Sequence, residues 1–130
     1  MGLRVLEPAR LVLNNVRVAA FNSNPGVWLD GSNQGQANTI TNSLIENNVV
    51  VGIRVQEADL TVSTSTISGN GGGAELFDTG HLNINDSTIR DNTASFGGGI
   101  YVDGSSSAQV MVHRSLIHRA ASLRGMRRSP

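Results

Sequence analysis

The chain has 130 residues, with ten Arg balanced by ten Asp or Glu, and neither Lys nor Cys. Zero Cys excludes disulfides and thiolate metal sites, zero net charge excludes a globally basic nucleic-acid binder, and no apolar run approaches the ~20 residues of a membrane span. Hydrophobic content of 38% is too high for disorder, and aromatic content of 4% makes any core aliphatic.

Short segments of alternating hydrophobicity follow one another along the chain, and none is long enough for an ordinary helix. Gly2-Leu-Arg-Val5 opens the series, and Leu11 to Val18 follows it. Gly26-Val-Trp-Leu29 comes next, then Asn38 to Ile45, then Gly52-Ile-Arg-Val55. Leu60-Thr-Val-Ser-Thr-Ser-Thr-Ile67 precedes Gly73-Ala-Glu-Leu76. Leu82-Asn-Ile-Asn-Asp-Ser-Thr-Ile89, Gly99-Ile-Tyr-Val102 and Val110 to Ile117 complete the set. Two segment types therefore alternate. Successive glycines of the second type lie 26, 21 and 26 residues apart, so insertions fall in the connections.

Such self-similarity without helices predicts a parallel β-solenoid, in which stacked coils bury one aliphatic column and pair each strand with its copies. Like residues then stack on like. Leu13, Ile40, Val62, Ile84 and Val112 fall in one inward column, opposite an outward set of Asn14, Thr41, Ser63, Asn85 and His113. Ile45, Ile67, Ile89 and Ile117 form another apolar ladder, and Ser43, Ser65, Ser87 and Ser115 a small-residue column at a bend. Asn48, Asn70 and Asn92 suit a tight left-handed corner with amide-to-amide hydrogen bonds. The glycines at 26, 52, 73 and 99 suit either unusual φ or close backbone approach.

The runs Ser-Thr-Ile-Ser-Gly-Asn (65–70), Ser-Thr-Ile-Arg-Asp-Asn-Thr-Ala (87–94) and Gly-Gly-Gly-Ile-Tyr (97–101) resemble the right-handed parallel β-helix repeats of pectin-lyase-like proteins. They are especially similar to repeats of bacterial surface and secreted proteins related to the polymorphic outer-membrane proteins, with Ile-x-x-Asn here in place of Phe-x-x-Asn. The resemblance covers about residues 2–118. It implies an all-β fold, a right-handed parallel β-helix of about four to five coils, each of 21–28 residues. It also implies an extracellular or cell-surface location, although the first ten residues lack the apolar core of a signal peptide. The expected domain is 1–118, with 119–130 an Arg-rich irregular tail. Both ends read as cut rather than capped, so an internal piece of a longer β-helix is expected, against the alternative of a short protein whose tail folds back as a cap. Open coil edges predict self-association.

Charge is split along the chain. Residues 1–113 hold five Arg against ten acids, and the other five Arg follow residue 113. The acidic body disfavours a polyanionic ligand unless Ca²⁺ intervenes, and the Arg tail reads as a solvated end rather than a nucleic-acid contact.

The outward column of the second segment type is Arg4, Trp28, Arg54, Glu75 and Tyr101. Aromatic faces along such a ribbon could stack on sugar rings, while Arg and Glu hydrogen-bond to hydroxyls, so a polysaccharide or cell-surface glycan is the expected ligand. The competing reading is cross-strand pairing, with Arg54 against Glu75 and Trp28 against the flanking Arg residues by cation–π contact. Asp30, Asp78 and Asp103 follow the second strands near one corner; they read as Ca²⁺ ligands or as ordinary turn residues. Glu57 and Asp59 flank another turn. No residue is assigned a catalytic role. The family's polygalacturonase-type members carry an adjacent Asp pair and Gly-His-Gly, and its pectate-lyase-type members Arg-x-Pro-x-x-Arg; none occurs here. The three His are scattered, and the glycine runs at 71–73 and 97–99 lack the helix and Lys of a phosphate loop. The expected function is a non-catalytic structural or adhesive segment, against the alternative of a fragment of a polysaccharide lyase or glycoside hydrolase.

Overall fold

The computed structural model describes residues 2–6, 9–93 and 98–111. The positions expected for Val112, His113, Ser115, Ile117, His118 and the tail lie outside them. Twelve strands are described: β1 (Leu3–Leu6), β2 (Val12–Asn14), β3 (Arg17–Ala19), β4 (Val27–Thr41), β5 (Leu44–Glu46), β6 (Ile53–Ser63), β7 (Thr66–Ser68), β8 (Ala74–Phe77), β9 (His81–Asn85), β10 (Thr88–Arg90), β11 (Ile100–Val102) and β12 (Ser107–Met111). They form a parallel β-solenoid of about four turns, with no helix among the described residues. No helix of the described residues is long and apolar enough to cross a membrane.

Every ladder is parallel and joins a strand to its copies in the coils before and after. One runs β1-β4-β6-β8-β11 and another β3-β5-β7-β10. A third links β2 to β4 and then β6 to β9 and β12. The second and first segment types run together in β4 and β6, so the turn expected at Glu57 and Asp59 is a bend inside one continuous strand. Glu57 makes it with a φ of 52°.

Alternation explains which side chains enter the core. Val27, Leu29, Ile53, Val55, Ala74 and Leu76 are fully buried along one wall, and Ile40, Val62 and Ile84 along another. Ile45 and Ile67 fill the third side, with Ile89 partly buried against them. The column is aliphatic, and the burial of each methylene contributes about 0.8 kcal/mol.

The corners are built one residue earlier than expected. Asn48, Asn70 and Asn92 do not themselves take the left-handed conformation. Their predecessors Asn47, Gly69 and Asp91 do, at φ of 57°, 67° and 59°. The same holds for the serine column, where Asn42, Thr64 and Asp86 precede Ser43, Ser65 and Ser87 with φ of 50° to 51°. The left-handed residue turns the chain and aims the next side chain inward. Asn48 and Asn70, both only 1% exposed, then bond along the axis. The Asn48 Nδ2 donates to Asn70 Oδ1 at 2.9 Å, and the Asn70 Nδ2 to Asn92 Oδ1 at 3.1 Å. Each Oδ1 also accepts the backbone N–H of the preceding member, at 2.9 Å in both steps. In the first coil Phe21 takes this place and donates its N–H to Asn48 Oδ1.

Gly26, Gly52 and Gly73 serve close approach rather than unusual φ, while a Cβ on Gly99 would meet nothing within 4 Å. A Cβ on Gly26 would sit 2.9 Å from the Gly52 carbonyl oxygen, and one on Gly52 would sit 2.9 Å from that of Gly73.

The last coil departs from the expected frame. Ala108 stands opposite Leu82 and Val110 opposite Ile84, two residues earlier than the alignment of Val110 with Leu82 requires. A shift of two keeps the same faces inward, so the apolar pattern alone does not distinguish the frames. Local hydrogen bonds choose between them: Gly80 N–H donates to Ser106 Oγ, and Ser107 N–H to the Gly80 carbonyl.

Candidate functional site: an outward ribbon and a neighbouring groove

Strand register brings the five ribbon residues into one outward column. Arg4 pairs with Trp28, Trp28 with Arg54, Arg54 with Glu75, and Glu75 with Tyr101. Within it the side chains engage one another from coil to coil. The Arg4 guanidinium lies 4.3 Å from the Trp28 ring centroid and that of Arg54 5.3 Å from it. Arg4 stands in the coil before Trp28 and Arg54 in the coil after, so a guanidinium approaches the indole from each neighbouring coil. Arg54 also donates from Nε and Nη2 to Glu75 Oε1, at 3.1 and 2.9 Å. Tyr101 packs against Phe77 with ring centroids 5.8 Å apart. The indole Nε1 is buried and has no acceptor among the described residues.

The corner aspartates are engaged in the same manner. Asp30 is ion-paired with Arg4. Asp78 accepts from Gln56 Nε2 at 2.9 Å. Asp103 accepts the backbone N–H of Asp78 at 3.2 Å and that of Ser105 at 3.1 Å. Its carboxyl is held below its ordinary pKa, chiefly by the Ser106 hydroxyl and further by these two backbone N–H groups. Asp30, Asp78 and Asp103 thus serve the joins between coils. Among the described residues no group of three or more His, Cys, Asp or Glu could hold a metal ion.

A second outward surface lies over β6, β9 and β12, and sequence reasoning missed it. An open groove of about 540 Å³ is lined there by Asp59, His81, Asn83, Ser107 and Gln109, with Leu82 and Ala108 at its base. Asp59 stands opposite His81, and His81 opposite Ser107. The His81 Nδ1 and Ser107 Oγ are 2.6 Å apart. Only the frame found for β12 places that serine beside that histidine.

The model of the family described as "right handed beta helix region" matches residues 2–123. The chain belongs to this family. Membership makes the solenoid right-handed and says nothing of a reaction, because this architecture hosts unrelated functions. No curated protein and no solved structure matches the chain.

Proposed function

We propose that this right-handed β-helix is a structural and adhesive segment of a secreted or cell-surface protein, in which neither the ribbon nor the corner aspartates is catalytic. The observation that carries this reading is that three outward Arg–acid pairs join successive coils. Arg4 with Asp30, Arg17 with Glu46 and Arg54 with Glu75 each tie one coil to the next. A surface whose acids and bases serve stacking favours a stiff spacer over a reactive cleft. Paired-carboxylate hydrolysis needs two acids held across one groove, and the ribbon's one acid, Glu75, is held by Arg54 instead.

Carbohydrate is the ligand class for the adhesive role. With guanidinium groups set against Trp28 from both neighbouring coils, and Arg54 also 5.7 Å from the Phe77 ring, ring stacking falls to Tyr101. Glycan-array binding of the chain and of its Trp28→Ala and Tyr101→Ala variants tests this. Loss of binding in Tyr101→Ala, with Trp28→Ala retaining it, is the expected outcome. Equal binding by all three proteins would remove the ribbon as a glycan site and leave the structural role alone.

A further inference from the structure

We propose that Asp59, His81 and Ser107 form a serine-nucleophile site that hydrolyses short-chain carboxylic esters. This goes beyond the structural and adhesive reading, which rests on the other face and survives if the site fails.

Three observations converge. First, strand register sets the three residues in consecutive coils of one column. Leu60 and Leu82, their neighbours in sequence, are buried at 1% exposure, so positions 59, 81 and 107 face outward together. Stacked strands are ~4.8 Å apart, so Asp59 and Ser107 stand on the two strands that flank His81. Second, the His81 Nδ1 to Ser107 Oγ separation of 2.6 Å is already within the reach that a nucleophile and its base require. Third, the column opens into the groove of about 540 Å³, the space a substrate needs.

The serine run explains why Ser107 is the reactive member. The Ser105 hydroxyl accepts the Thr79 N–H at 3.2 Å, and that of Ser106 accepts the Gly80 N–H at 3.0 Å. These bonds anchor the turn and fix the frame of β12. The Ser105 and Ser106 hydroxyls are turned to the Asp103 carboxylate, and Ser107 is the one of the three whose hydroxyl meets an imidazole.

With its proton on Nε2, the His81 imidazole takes the Ser107 hydroxyl proton at Nδ1 as Oγ attacks the ester carbonyl carbon. The carbonyl–alkoxy C–O bond breaks, the proton passes to the departing alkoxide, and an acyl-Ser107 ester remains. Water then attacks that ester and gives His81 a proton. The proton returns to Ser107 Oγ as the carboxylic acid leaves. Asn83 and Gln109, one outward position along the same strands, supply amide donors for the carbonyl oxygen. Asp59, on the strand beside His81, is assigned as a positioning residue that acts through the imidazole. The apolar part of the groove is limited to Leu82 and Ala108, which fits a short acyl group.

The test is hydrolysis of p-nitrophenyl acetate, with labelling by a fluorophosphonate probe and peptide mass spectrometry of the intact wild-type chain. Ser107→Ala and His81→Ala should each lower turnover at least ~100-fold. The probe should modify Ser107. Asp59→Asn should lower kcat about tenfold or more, with KM and melting temperature unchanged. Wild-type turnover equal to that of the Ser107→Ala, His81→Ala double variant would overturn the proposal. So would full activity in Ser107→Ala, or labelling at another residue. Labelling reads the wild-type protein, so a variant that fails to fold does not shelter the proposal.

Discussion

The asparagine corner and the Arg4–Tyr101 ribbon both join successive coils through polar side chains, yet they lie on opposite sides of the burial boundary. At the corner, the Asn70 amide spends its donors on the Ile45 carbonyl and on Asn92 Oδ1, and its Oδ1 accepts twice from Asn48. Nothing there competes from solvent. In the ribbon, the Arg54–Glu75 pair keeps about a quarter of each side chain exposed. Water then competes for each partner and screens their charges. Similar bond lengths therefore carry very different energies. Removing a buried partner leaves a donor or acceptor uncompensated at about 1–3 kcal/mol, whereas a solvated ion pair contributes less than about 1 kcal/mol.

Substitutions along each column break this comparison if it is wrong. Asn70→Ala has the largest expected effect, because it leaves the Asn48 N–H and the Ile45 carbonyl without their side-chain partner. A loss of about 2–5 kcal/mol is expected in urea unfolding. A loss below about 1 kcal/mol would mean that the corner amides do not act as a ladder. Glu75→Gln in the ribbon should cost less than about 1 kcal/mol and become indistinguishable from wild type in high salt. A salt-independent loss would show that the ribbon behaves as buried. Asp103 gives the smallest effect and its sign is fixed. Its carboxyl is depressed in the fold, so its contribution is present above the ordinary carboxylate range and fades as pH falls through that range. In Asp103→Asn the melting temperature should show a slightly weaker dependence on pH below ~4. Carboxyl NMR of the wild type should place Asp103 below its ordinary value.

The solenoid was legible because its signal repeats. Ile53, Val55, Leu60 and Val62 alternate with polar residues, and the same spacing recurs one coil on in Ala74, Leu76, Leu82 and Ile84. The ribbon was legible for the same reason, since a glycine marks its register in each coil. The corner geometry was not. The left-handed position is held by Asn47, Gly69 and Asp91, three residue types united by a backbone conformation, and the conspicuous Asn stands one step later. The His81–Ser107 pairing was hidden by the two-residue frame of the last coil. In the frame that best matches Ile84 with Val112, Gln109 faces His81 and Ser107 faces the coil edge. Hydrophobic pattern is blind to that shift, and the hydrogen bonds of Ser105, Ser106 and Ser107 to the 79–80 turn decide it.

The amides of Asn48, Asn70 and Asn92 all point the same way. Each Oδ1 accepts from the coil before, and the Asn48 and Asn70 amide nitrogens each give one hydrogen on to the next Oδ1 and one back to a carbonyl of the coil before. Their dipoles therefore add along the axis, and each bond polarises the next. A coil inserted upside down would set acceptor against acceptor at this corner. The solenoid thus has a sense of direction written into its interior, and coils can join it only head to tail.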